Sequence, residues 1–393
     1  MIAIMSIICF FGYGATLSSI GLFLEPIRAE LELSMGRVSL VGSGFMAAGC
    51  AASVGTGWLI DRYGARRLIA VGAFLSGAGL VLAAQAHGIA LVFTGFFLAG
   101  IGMTASTYVP CMALLSRRVD EGLGVAVGII LAAAAAGSAL IPMLLVNLVP
   151  LYGWRSILVG TGLAVIAFSV PAALALKNGP RIPADTSSDG RIVSARQMRS
   201  SRLFRPNLMR IYLLQFVFTV GYMGLYLHLM PLLEERGFAP AAVGALFGAM
   251  NLISALGLLA TGWAADRFGA RNILLLSLAL NGGSIFLLLG TTPLPSSAII
   301  ISLFIAIWGA TQGAVTQLSP LLLAQAAQAE DIGTASGIMG IAQGSAGAVG
   351  PLLIGTLHDI TNGYRVGIIV AGSLAFVSIL CLANAQVRRR ALD

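Results

Sequence analysis

The sequence predicts an all-α membrane protein whose twelve transmembrane helices form two parallel six-helix halves. Three observations lead there. Of 393 residues, 58% are hydrophobic and only 10% charged, with a mean hydropathy of +0.94, far from the balance of a soluble domain. Twelve apolar stretches, each near the roughly 20 residues that a spanning helix needs, are separated by short polar or Gly/Pro-bearing breaks. Landmarks of the first half of the chain then return, in the same order, in the second.

The stretches run over residues 2–24, 37–59, 68–86, 89–115, 122–148 and 154–176, and then 208–233, 241–264, 272–290, 297–322, 333–357 and 364–386. The first lacks the basic n-region and small-residue cleavage site of a signal peptide and reads as a retained helix. Between the sixth and seventh lies the longest polar segment, Lys177–Asn207, rich in Arg, Ser and Pro. It reads as a cytoplasmic, largely irregular linker, dividing the chain into halves at 1–176 and 208–393.

Orientation follows from the cations, because cytoplasmic loops accumulate Lys and Arg. With both termini inside, 18 of the 23 fall on the cytoplasmic side, among them Arg62, Arg66, Arg67, Arg117, Arg118, Arg267, Arg271 and the Arg388–Arg390 run; Arg28, Arg37, Arg155, Arg236 and Arg365 fall outside. The net charge of +8 then faces an anionic lipid leaflet and calls for no nucleic acid. Cys9, Cys50, Cys111 and Cys381 lie within spans, without metal-ligand spacing, and read as apolar fillers.

The repeat is most visible in "GWLIDRYGARR", from Gly57, and "GWAADRFGARN", from Gly262, which agree at seven of eleven positions. Pro26 returns as Pro231, each expected just past the end of the first helix of its half; Pro142 returns as Pro351, and "GWR" at Gly153 as "GYR" at Gly363. An even number of spans per copy gives both copies the same orientation. Such a parallel repeat places a cavity between the halves near the midplane.

Both copies fit G-x3-D-R-x-G-x-[RK] and resemble the signature loop of the major facilitator superfamily: Gly57, Asp61, Arg62, Gly64 and Arg66, then Gly262, Asp266, Arg267, Gly269 and Arg271. The resemblance covers the whole chain. It implies the major facilitator fold, with transport by alternating access, and gives these ten residues the role of a conformational latch that stabilises the outward-facing state. Arginine at a helix C-terminus suits the dipole, the aspartates can pair with it or with a neighbouring helix start, and glycine permits the tight reversal.

Within the superfamily, "GLFLEPIRAELELSMGRVSL" and "LAGIGMTASTYVPCMALLSRR" are similar to the bacterial monocarboxylate and oxalate:formate porter-like group. That likeness implies a multi-pass protein of the bacterial inner membrane and uptake of a monocarboxylate-like metabolite. The chain departs from the group where an anion would bind: Leu258 replaces the arginine eight residues before Asp266, and Phe96 stands where many proton-coupled relatives have an arginine in the fourth helix.

Ionisable groups inside spans are costly and mark function; His228 is the one expected within a span, where it could carry a coupling proton. The other candidate substrate-binding residues are polar or aromatic: Tyr13 and Ser18 in helix one, Thr107 and Tyr108 in helix four, Tyr222 and Tyr226 in helix seven, Asn251 in helix eight, Trp308, Gln312 and Gln317 in helix ten, and Gln343 in helix eleven. Tyr222 and Tyr226, four apart, share a helix face. No paired catalytic groups, nucleotide-binding loop or metal-ligand set is present, so the expectation is a transporter without cofactor, working as a monomer on a small organic solute. An exporter is the alternative, suggested by Gly128, Gly137 and Pro142 in helix five, but Ile141 breaks that pattern where glycine belongs.

Overall fold

The computed structural model describes residues 1–107, 110–111, 114–115, 123–176, 203–291, 297–327 and 332–383. They are helical throughout: α1 Ile2–Ala15, α2 Ile20–Glu30, α3 Met35–Tyr63, α4 Ala65–Ala84, α5 Ile89–Ser106, α6 Leu123–Ala175, α7 Pro206–Glu235, α8 Pro240–Phe268, α9 Ala270–Leu287, α10 Ala298–Gln312, α11 Ala314–Ala326, α12 Ile332–Thr361 and α13 Arg365–Ala383. Each of the twelve expected stretches falls on one or two of these. Helices are the natural outcome, because hydrocarbon offers backbone N–H and C=O groups no partner outside the chain.

Three stretches expected to line the cavity are interrupted. The first breaks between α1 and α2 at a short 3-10 turn, Leu17–Ser19, where the Thr16 hydroxyl bonds Gly12 O and Ser19 Oγ donates to Gly14 O at 2.7 Å. Side-chain hydroxyls there compete with backbone N–H groups for the same carbonyls. The fourth is interrupted at Thr107 (φ −104°, ψ −117°), where α5 ends, and the tenth divides at Gly313 into α10 and α11. Irregular backbone is tolerated at membrane depth where it lines a cavity.

Two boundaries differ from expectation. Pro26 and Pro231 lie inside α2 and α7, not beyond them. The helices continue because a proline removes one N–H, and the carbonyl it frees can face another helix: Leu227 O, four residues before Pro231, lies against Gly21, where a Cβ would stand 2.6 Å from it. The fifth and sixth stretches are joined without a loop, since Gly153 (φ 74°, ψ 150°) turns the chain within α6.

The repeat extends to packing. Gly14 on α1 meets Gly137 on α6 so closely that a Cβ would lie 2.2 Å from Gly137 O; Gly224 on α7 meets Gly350 on α12 in the same way, at 2.7 Å. Gly64 (φ 83°, ψ 147°) and Gly269 (φ 88°, ψ 132°) end α3 and α8 with nearly the same left-handed turn.

The two halves touch at the end of the bundle opposite these turns. Close approaches between α3 and α12 run from Gly36 at Asp359 to Cys50 at Gly344; α6 meets α8 at Met143 and Val146 against Gly244; α2 meets α7 at Gly21. Toward the D-R-x-G turns, Gly55, Gly128, Gly337 and Gly340 have no atom within 4 Å of the space a Cβ would fill. The close approaches described between the halves thus all lie toward the end opposite the D-R-x-G turns.

Replacing Gly137 or Gly350 by valine should cost about 1–3 kcal/mol, the usual penalty of overpacking, and lower the melting temperature of the purified protein. Gly128→Ala and Gly337→Ala should leave it unchanged or slightly raised. Equal losses at all four would contradict the packing described.

Candidate functional site

The break between α1 and α2 brings Ser18, in the first half of the chain, to Tyr226 on α7: the two hydroxyls are 3.1 Å apart. Tyr226 donates to Asn251 Oδ1 on α8 at 3.2 Å, so Ser18 donates to Tyr226. The Asn251 amide is held in turn by Phe247 O at 2.9 Å. One turn along α7, Tyr222 donates to Gln312 Oε1 at the end of α10, at 3.1 Å. Five of the candidate residues therefore form one polar layer across four elements, and its functional groups are phenols, amides and a hydroxyl.

Aromatic rings enclose it. Trp308 contacts Tyr222 and Tyr226, with ring centroids 5.6 and 6.4 Å away, and stacks on Phe304 at 5.3 Å; Phe247 lies 5.2 Å from Tyr226, and Phe218 stacks on Tyr222 at 5.7 Å. The Trp308 side chain is fully buried, and its Nε1 has no hydrogen-bond partner among the described residues. Buried indole N–H groups are ordinarily paired, so this donor is available to an acceptor that enters the layer. Phe218, Phe247 and Phe304 were not singled out from sequence, where they are indistinguishable from packing residues.

The remaining candidates lie elsewhere. Thr107 closes α5, donating to Met103 O at 2.8 Å and touching Gly12 of α1. Tyr13 is half-buried on α1, and Gln343 half-buried on α12. Gln317 accepts from Thr261 Oγ1 at 2.9 Å, beside Gly262 and toward the D-R-x-G end. Tyr108 lies outside the described residues.

His228, two residues past Tyr226, points to a different set of partners. Its Nε2 is 3.0 Å from both Pro351 O on α12 and Ser39 Oγ on α3, and its Nδ1 is 3.1 Å from the Tyr364 hydroxyl. A carbonyl only accepts, so Nε2 carries the proton and Nδ1 accepts from Tyr364. The ring is fully buried and joins the two halves at the closed end.

Of the ten signature residues, Arg62 is exposed above the Tyr63 ring, and Asp266 and Arg267 are exposed, with Arg267 near the rings of Trp263 and Phe268. Arg66 is half-buried, and Arg271 Nη2 reaches Leu382 O at 3.5 Å. Gly57 is described only as part of α3, and the Asp61 side chain lies outside the described residues. At the other end, "GWR" has a local explanation: Trp154 Nε1 donates to Glu30 at 2.6 Å, and Arg155 bonds Glu30 and, at 2.6 Å, Ala86 O. A cavity of about 430 Å³ opens at that same end, apart from the polar layer, lined by Glu25, Arg28, Met35, Pro231, Glu234, Glu235, His358 and Asn362.

A helical membrane bundle with interrupted helices around an uncharged polar layer, its two halves in contact toward one end, has the architecture of a transporter. The family profile of the Major Facilitator Superfamily matches residues 4–351 and also 211–391, and the chain belongs to that superfamily; it is a transporter of small solutes and no enzyme. It is similar to monocarboxylate transporter 13 of Rattus norvegicus, 24% identical over 360 residues that cover 91% of this chain and 82% of the relative. It is also similar to the probable sulfoacetate transporter SauU of Cupriavidus necator, 26% identical over 404 residues covering 96% and 92%. In fold it resembles the crystal structure of the nucleoside transporter NupG, with a TM-score of 0.80 at 13% identity over 97% of each chain.

If Tyr226 and Asn251 support each other as described, a double-mutant cycle of Tyr226→Phe and Asn251→Ala should give a coupling of about 1 kcal/mol in unfolding stability. Tyr226→Phe with Gln343→Ala should be additive. Additivity in both pairs would contradict the layer.

Proposed function

We propose that the protein takes up a small monocarboxylate-like metabolite by alternating access, holding it at the layer of Ser18, Tyr222, Tyr226, Asn251, Trp308 and Gln312. The observation that carries this reading is the Trp308 N–H, which has no partner among the described residues, within a layer that spans both halves of the chain. The relatives named for monocarboxylate and sulfoacetate transport support the substrate class. A carboxylate has no cationic partner among these six residues, and an unpaired charge is expensive to desolvate. The solute is therefore carried with a proton, as the neutral acid, which an acceptor-seeking indole and amide can hold.

In this reading the D-R-x-G turns face the cytoplasm of a bacterial inner membrane, with both termini on that side, as the distribution of arginines supports. The structure then corresponds to a state open to the inside. The halves at 1–176 and 208–393 are the moving bodies, the linker at 177–207 joins them, and one chain is sufficient.

The test is flux into proteoliposomes of labelled short-chain monocarboxylates, with and without an imposed pH gradient. Uptake should accelerate when the outside is made more acidic, and Trp308→Phe should raise KM about tenfold, the factor that about 1.4 kcal/mol makes. Selective stabilisation by lipophilic cations, with no carboxylate flux, would favour an exporter and overturn this reading.

A further inference from the structure

The carboxylate of Asp359, in the last turns of α12, accepts the backbone N–H of Met35 at Oδ1 and of Gly36 at Oδ2, each at 2.7 Å. These are two of the four N–H groups that a helix start leaves without intrahelical partners. Here the helix start, that of α3, belongs to one half of the chain and the carboxylate to the other. Anionic oxygen on the positive end of a helix makes short, charge-assisted bonds. Gly36 admits it: a Cβ there would lie 2.8 Å from Asp359 Oδ2 and 3.3 Å from Thr356 Oγ1.

Two further features distinguish this contact from a permanent weld. Ser34 caps α3 from within its own half, its Oγ accepting the Arg37 N–H at 3.3 Å while its hydroxyl also bonds the Asp359 carboxylate, so the helix start keeps one capping bond of its own when Asp359 withdraws. The contact also borders the 430 Å³ cavity, whose lining includes Met35 and His358, so water can take over both partners when they part. Separation leaves no polar group stranded in a dry interior.

We propose that Asp359 and the N-terminus of α3 form a lock between the halves at this end. It is engaged while the D-R-x-G end stands open and released when the halves swing the other way. The proposal rests on the alternating-access reading above, and gives the end opposite the signature turns a fastener of its own.

Hydrogen–deuterium exchange of the full-length protein in lipid nanodiscs tests it, comparing the unvaried chain with Asp359→Ala and with Gly36→Ala, which crowds the carboxylate out by a different route. Both variants should make segments 31–45 and 350–361 exchange about tenfold faster. Both should also slow exchange at 59–70 and 262–275, because releasing one end favours closure of the other. That reciprocal slowing is what a merely weakened fold would not produce. Faster exchange at both ends, or no change at the signature turns, would overturn the proposal, as would failure of both variants to assemble, which would make the contact a folding requirement. A failed uptake assay on the unvaried protein would reject the transport reading separately, since the exchange comparison uses no solute.

Discussion

Where α3 crosses α12, two helices from opposite halves of the chain approach closely enough for backbone and side-chain polar groups to exchange partners across the gap. Gly36, Gly344, Gly347 and Gly355 make the approach possible, and Asp359 and His228 supply the polar links. Small residues are the general means by which helices associate in lipid, where no hydrophobic force distinguishes a neighbouring helix from an acyl chain. The closed end, the separation of the halves at the other end and the position of the polar layer between them all depend on this crossing. α6 against α8 provides the matching crossing on the other side of the bundle, through Met143, Val146 and Gly244.

Polarity is distributed unevenly along the axis. The closed rim holds carboxylates, arginine and histidine around a cavity, whereas the central layer holds only hydroxyls, amides and an indole. Charge at the rim is inexpensive because water reaches it, and charge at the centre would be costly in every state of the cycle. Superfamily membership fixes the machine and leaves the cargo to such details. Leu258, at the position where the likeness to the porter-like group implies an arginine, packs against Gly313 at the break between α10 and α11.

Much of this was legible in the sequence. Apolar length and the doubled signature were enough for the helices, their order and the family, because span length and tight-turn glycines are local properties. Ser18, Tyr222, Tyr226, Asn251, Trp308 and Gln312 were recognisable as polar or aromatic residues within spans one, seven, eight and ten, and the structure brings them near one another. The partners of His228 were not: Ser39, Pro351 and Tyr364 lie 123 to 189 residues away in the chain, and no periodicity links them. Asp359 lies 323 and 324 residues from the N–H groups it accepts, and nothing local in the sequence marks it. Nor could composition foretell that Pro231 would be absorbed within a helix, since the carbonyl that it releases meets Gly21 from the other half of the chain.

The central claim is that one end of the bundle is closed by contacts between the halves while the other is open, and that the two exchange. Pulsed electron-paramagnetic-resonance distances test it most directly, on a chain with its four cysteines replaced and nitroxide labels placed in pairs: Arg37 with Ile360 at one end, Arg62 with Arg267 at the other. The account predicts two populations at each end whose occupancies are reciprocal, the short distance at the first pair accompanying the long distance at the second. A single fixed distance at both ends, or distances that lengthen together, would contradict it.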